Sequence, residues 1–102
     1  MLKKKIDASS GETLIYLDGK WEKFSVYQLV LDRIIENLDS VRRLDWFDLS
    51  QLLGDASWDY LGTRGWQGRA RYCFRYLIKK GVVPIEDVTK HYKNTKQYRV
   101  TN

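Results

Sequence analysis

One cysteine, one histidine and one proline are all that this chain of 102 residues contains of those three types. A lone Cys73 excludes an internal disulfide and a thiolate metal cluster, and a small protein that folds without disulfides fits a reducing cytoplasm. A lone His91 argues against a histidine-based metal centre. No run of about 18 apolar residues occurs, so no membrane span is expected. The start, Met1-Leu2-Lys3-Lys4-Lys5-Ile6-Asp7, is basic but has no apolar segment after it, so no secretion signal is expected either. No internal repeat or low-complexity tract interrupts the chain, and its length suits one domain with one core.

Acid is scarce in one part of the chain only. Residues 1–62 hold eight Lys and Arg against eleven Asp and Glu, a net of −3; residues 63–102 hold ten against Glu86 and Asp87, a net of +8; together these give the chain's +5. Such a split points to a basic surface built from the carboxy-terminal part. The bland alternative is a solvated basic face that serves solubility.

The centre of that part is Gly65-Trp66-Gln67-Gly68-Arg69-Ala70-Arg71-Tyr72-Cys73-Phe74-Arg75-Tyr76-Leu77-Ile78-Lys79-Lys80-Gly81. Ala70, Cys73, Phe74, Leu77 and Ile78 fall at helical spacing on one face, so a helix is expected over residues 67–80, with Gly81 in the left-handed position that ends it. The rest of its surface is Arg69, Arg71, Tyr72, Arg75, Tyr76, Lys79 and Lys80, with no acidic residue. Arg71, Arg75 and Lys79 follow one another at i, i+4, where like charges repel, and a polyanion lying alongside would relieve that repulsion.

The earlier elements are read from turn and cap signals. Residues 1–12 are an arm or edge strand. Asp18-Gly19 between the β-prone runs 13–17 and 20–24 is a hairpin signal, because a type I′ turn needs positive φ at both central residues. Alternation puts Trp21 and Phe24 on opposite faces, so only one of them need be core. Ser25 with Gln28 reads as a capping box opening a helix over residues 25–39, its stripe made of Val26, Leu29, Val30, Ile34 and Leu38 and widened by Leu31 and Ile35. Residues 45–54 read as a short helix capped by Asp45, with Asp48 in its first turn, Trp46, Leu49 and Leu53 on one face, and Gly54 as its stop. Residues 55–68 read as an ordered aromatic loop with a helical turn near Trp58. After Gly81 an extended segment carries Pro84, and residues 87–92 and 97–101 read as strands joined by the polar turn Lys93-Asn94-Thr95-Lys96.

Helix, short helix, loop, basic helix, then basic hairpin is an order that resembles a winged helix-turn-helix domain. The resemblance implies that the last helix enters the major groove of DNA and the hairpin serves as the wing. Leu52-Leu53-Gly54, Trp58, Leu61, Gly68-Arg69, Phe74, Gly81, Lys93-Asn94 and Tyr98 are also similar to a group of very small proteins of Gram-positive bacteria and their mobile elements. The loop over residues 54–68 is long for a winged helix. The fold expected is therefore α+β: a winged-helix-like three-helix core with a C-terminal hairpin wing over residues 25–101, preceded by the hairpin 13–24.

The function expected is binding of double-stranded DNA, as a regulator or an architectural protein. Arg69, Arg71, Tyr72, Arg75, Tyr76, Lys79 and Lys80 would meet bases or phosphates from the helix. Arg64 and the glycines of residues 62–68 would offer a phosphate charge and backbone amides, unless those glycines only make a tight turn. Lys90, Lys93, Asn94, Lys96 and Arg99 would act from the wing. Two-fold operators call for a dimer, for which the front hairpin and helix 25–39 are the surfaces left over. Two other classes stand beside this one: a protein-interaction module of a mobile element, and an RNA or single-strand binder stacking bases on Trp66, Tyr72, Tyr76, Tyr92 and Tyr98. Catalysis finds little support. Asp45 with Asp48, and Asp55 with Asp59, sit where caps and turns expect aspartate, and Cys73 lies on an apolar face. No cofactor, metal or small-molecule substrate is expected.

Overall fold

The computed structural model describes residues 2–91 and 94–101. The fold is α+β, with four helices and two small antiparallel sheets among the described residues. Strands β1 (Lys4–Ile6), β2 (Thr13–Leu17) and β3 (Lys20–Lys23) form the first sheet, in that order. Asp18 at φ 54° and Gly19 at φ 98° make the β2–β3 turn, as the Asp-Gly pair requires. The register sets Ile15 opposite Glu22, and Ile15, Leu17 and Glu22 are all buried. Trp21 lies on the other face, edge-on to Tyr16 at 5.1 Å between centroids. Neither Trp21 nor Phe24 is fully buried; the residue that strand β3 sends into the core is charged.

Strand β3 runs without a linker into α1 (Phe24–Val41). The helix thus begins ahead of Ser25, and the expected capping box does not form. Lys23 occupies the cap position with no side-chain cap bond, and Gln28 donates forward to Asp32 instead. Val26, Tyr27, Val30, Ile34 and Val41 are buried, whereas Ile35 is turned outward, 68% exposed.

The next stretch departs further from the sequence reading. Asp48, not Asp45, caps α2 (Leu49–Leu53), accepting from the Gln51 amide at 2.8 Å while Gln51 Oε1 accepts from the Asp48 amide at 3.0 Å. Phe47 is fully buried where Trp46 was expected to be core, and Trp46 is 45% exposed. The reason is backbone pairing: Phe47 exchanges two hydrogen bonds with Tyr98, of 2.8 and 2.9 Å, which turns its ring inward and its neighbour's outward. Gly54, at φ 89°, ends α2 and at once opens α3 (Asp55–Thr63), so residues 55–63 are helix rather than loop. The Trp58 amide donates to the Gly54 carbonyl at 3.0 Å, the first bond of the new helix.

Helix α4 (Gln67–Lys79) buries Ala70, Cys73, Phe74 and Leu77. Gly81, at φ 70°, ends it in a Schellman motif: the Val82 amide donates to Leu77 and the Gly81 amide to Ile78. Strands β4 (Ile85–Asp87) and β5 (Tyr98–Val100) then pair antiparallel, Glu86 opposite Arg99. A hairpin is present, but its first strand is not where it was expected: β4 ends at Asp87, residues 88–91 of the expected strand 87–92 are not strand, and β5 keeps only three residues of 97–101. Asp87 stops the ladder by accepting from the Thr89 amide at 2.8 Å, and Thr89 Oγ1 then accepts from the Gln97 amide at 2.8 Å, tying the base of a ten-residue connection, 88–97. Tyr98 sits against Phe74 of α4, ring centroids 4.7 Å apart and nearly perpendicular, and against Phe47, while Ile85 and Val100 of the same sheet also enter the core. Among the described residues no helix is long and apolar enough to cross a membrane.

Candidate nucleic-acid interface

Helix α4 presents its cations in two directions. On the flank facing the first sheet, Arg69 Nη1 lies 2.7 Å from buried Glu22 Oε1. Lys79 Nζ lies 2.8 Å from Asp18 Oδ2, and Lys80 Nζ 3.4 Å from Asp18 Oδ1. Tyr72 donates its hydroxyl to the Leu17 carbonyl at 2.6 Å. The relief of like-charge repulsion expected from a polyanion is therefore supplied in part by the chain's own Glu22 and Asp18. The Lys79 hydrogen bond, and then the charges of Lys79 and Lys80, hold the Asp18 carboxyl below its ordinary 3.8. The same bond raises Lys79 above its ordinary 10.5. A lowered carboxyl contributes above 3.8 and is lost as pH falls through its folded value; a raised ammonium contributes below 10.5 and is lost as pH rises through its own. The Asp18–Lys79 pair thus holds throughout the neutral range.

The outward edge of α4 is different. Arg71 and Arg75 are exposed and one turn apart. Arg71 lies over the Trp58 ring, 5.1 Å from its centroid, which fixes the guanidinium's plane without cancelling its charge. Burial, with Asp87 adding, holds the Tyr98 phenol above its ordinary value, and the charges of Arg75 and Arg71 oppose the shift. Beside them opens a cleft of about 430 Å³ lined by Arg71, Trp58, Tyr98, Asn94, Lys96 and the first turn of α2, including Asp48 and Ser50. The cleft joins the helix edge to the hairpin connection.

The remaining expected residues divide as follows. Lys90 is exposed on the connection. Arg99 is held by Glu86 at 2.7 Å. Arg64 lies over the rings of Tyr60 and Trp66, at 4.7 and 5.3 Å, in the α3–α4 turn. Tyr76 is half-buried. Lys93 and Tyr92 lie outside the described residues. In the glycine turn, the Gly65 and Trp66 amides donate to the Gly62 and Leu61 carbonyls, so those two amides serve the turn rather than a phosphate. Of the aromatic residues offered for base stacking, Tyr98 is buried and the Tyr72 hydroxyl is engaged with the backbone. The Cys73 thiol is pushed up to about 12, chiefly by burial and then by Glu22, which leaves no useful thiolate near neutrality.

Three features of this site were not read from the sequence. Trp58 underlies Arg71, Asp18 reaches across to α4, and Glu22 enters the core. Each depends on contacts between residues 13 to 61 positions apart. The one available signal was the alternation of β3, which places Glu22 on the face of Ile15 and Leu17. Comparison of the chain with family models, with curated proteins and with solved structures finds no match.

Proposed function

We propose that the protein binds double-stranded DNA through the outward edge of α4 and the adjoining hairpin connection, in the manner of a winged helix. The order of elements supports this reading. Helix α1, helices α2 and α3, helix α4 and the β4–β5 hairpin follow one another, and ahead of α2 Phe47 makes a single bridge to Tyr98 of the last strand. Helix α4 then takes the groove and the connection 88–97 takes the part of the wing. The observation that carries the reading is that Arg71 and Lys96, from helix and connection, line one cleft, and that Arg75 is exposed one turn along α4 from Arg71. Phosphates neutralised by these three groups would give log K a slope of about −2.7 against log salt.

The test is an electrophoretic shift of random duplex DNA at two salt concentrations, with the natural chain and the double variant Arg71→Glu/Arg75→Glu. The natural chain should shift the duplex, more weakly at the higher salt. The double variant should not, while its circular dichroism stays that of the natural chain. Normal binding by the folded double variant overturns the assignment of α4.

A second reading, a protein-interaction module, is favoured by one observation. An apolar groove of about 420 Å³ lies between the start of α1 and α3, lined by Val26, Leu29, Ala56, Tyr60, Leu61 and Trp66. It uses a different face of α3 from Trp58, so a protein partner there would leave the cation cleft open.

A further inference from the structure

We propose that Asp18 occupies, as an internal anion, a phosphate site on α4, and that duplex DNA and the β2–β3 turn compete for it. This rests on the duplex-binding reading above. A depression of about 380 Å³ is lined by Asp18, Tyr72, Arg75, Tyr76 and Lys79. Its cations come from α4, and the anion among its lining residues comes from the turn. The Asp18 carboxylate meets Lys79 at 2.8 Å, the distance at which a phosphodiester oxygen would meet it, and Lys80 stands farther off at 3.4 Å. The turn itself does not need the charge. A type I′ turn requires positive φ at its first central position, and asparagine serves there at least as well as aspartate. What aspartate adds is the reach of an anion to two lysines that the adjacent Arg75 would otherwise extend into a continuous cationic strip.

The contact is built to yield. Asp18 and Lys79 stand in water, with side-chain exposures of 38% and 69%, so the pair is screened and weak. The anchor of the hairpin lies elsewhere, in the Tyr72 hydroxyl bond to Leu17 and in buried Glu22, so losing the Asp18 contact leaves the sheet in place. The carboxylate therefore lowers affinity for every duplex alike and sets the salt range in which binding occurs.

The experiment compares the natural chain, Asp18→Asn, and Asp18→Asn/Lys79→Gln on one random duplex between 0.05 and 0.3 M salt. Asp18→Asn keeps the turn sequence Asn-Gly and so should fold as the natural chain does. Two freed lysines should steepen the slope by about 1.8 and tighten binding about tenfold or more at 0.1 M salt, a gain that shrinks as salt rises. Adding Lys79→Gln should cancel about half of the steepening. Binding by the variant where the natural chain shows none also supports the proposal. Equal affinity and equal slope for the natural chain and Asp18→Asn overturn it while leaving the duplex reading intact. Failure of all three proteins to bind duplex overturns both.

Discussion

Replacing Arg69 by methionine tests how much of the stability rests on its pairing with buried Glu22. Glu22 is fully buried; its Oε1 accepts from the Lys23 amide at 3.0 Å and from Arg69 at 2.7 Å. Its Oε2 finds no hydrogen-bond donor among the described residues, and only the Lys20 ammonium stands near, at 3.7 Å. Removing one partner of a buried ion pair costs about 3–5 kcal/mol, because the other charge stays behind without compensation. Arg69 is 41% exposed, and Lys20 remains, so water and the second cation recover part of that. A loss of about 2–3 kcal/mol is left. In a domain of this size that lowers the melting temperature by about 10–20 °C. The assay is a double-mutant cycle by thermal or urea unfolding with Arg69→Met, Glu22→Gln and both together. Glu22→Gln alone should cost about 1–3 kcal/mol, since it removes the buried charge but leaves a buried amide NH2 beside the Lys20 ammonium without an acceptor among the described residues. The double variant should cost little more than Glu22→Gln alone, giving a coupling of about 1.5 kcal/mol or more. An Arg69→Met protein as stable as the natural chain, or a double variant in which the two losses simply add, refutes the reasoning.

Three further outcomes concern Cys73, Gly54 and Gly68. Cys73 should not react with a thiol reagent at pH 8 in the folded protein and should react fully in urea. Because its folded value of about 12 lies above the ordinary 9.0, its contribution to stability is whole below pH 9.0 and is lost as pH rises through the folded value. Gly54→Ala should destabilise by about 1–3 kcal/mol through backbone strain, since φ is 89° and the nearest atom to a new Cβ, Asn37 Nδ2, is 3.9 Å away. Gly68→Ala, inside α4 with open space around it, should stabilise by about 0.5–1 kcal/mol.

The parts of the fold that were legible in the sequence are those fixed locally. Asp18-Gly19 names its own turn, and the apolar face of α4 and its Gly81 stop follow from spacing and φ alone. Gly54 was legible as a stop but not as a restart. Helix α3 fully buries only Leu61, so it offers almost no apolar period to read. Phe47 and Trp46 could not be told apart, because one backbone bridge to a residue 51 positions later decides which ring is core. The positive charge of α4 was legible, but its division was not. Glu22 and Asp18 reach the helix only once the hairpin has folded onto it, so Arg69, Lys79 and Lys80 face carboxylates of the chain while Arg71 and Arg75 stand on the outward edge.

The most direct measurement is a titration of isotope-labelled protein with a short duplex, following each backbone amide by NMR. Shifts should cluster at Gly68, Arg71, Arg75 and residues 94–96, and fade as salt is raised. Shifts gathered instead around Val26, Leu29 and Tyr60, or no shifts at low salt, would contradict duplex binding through α4.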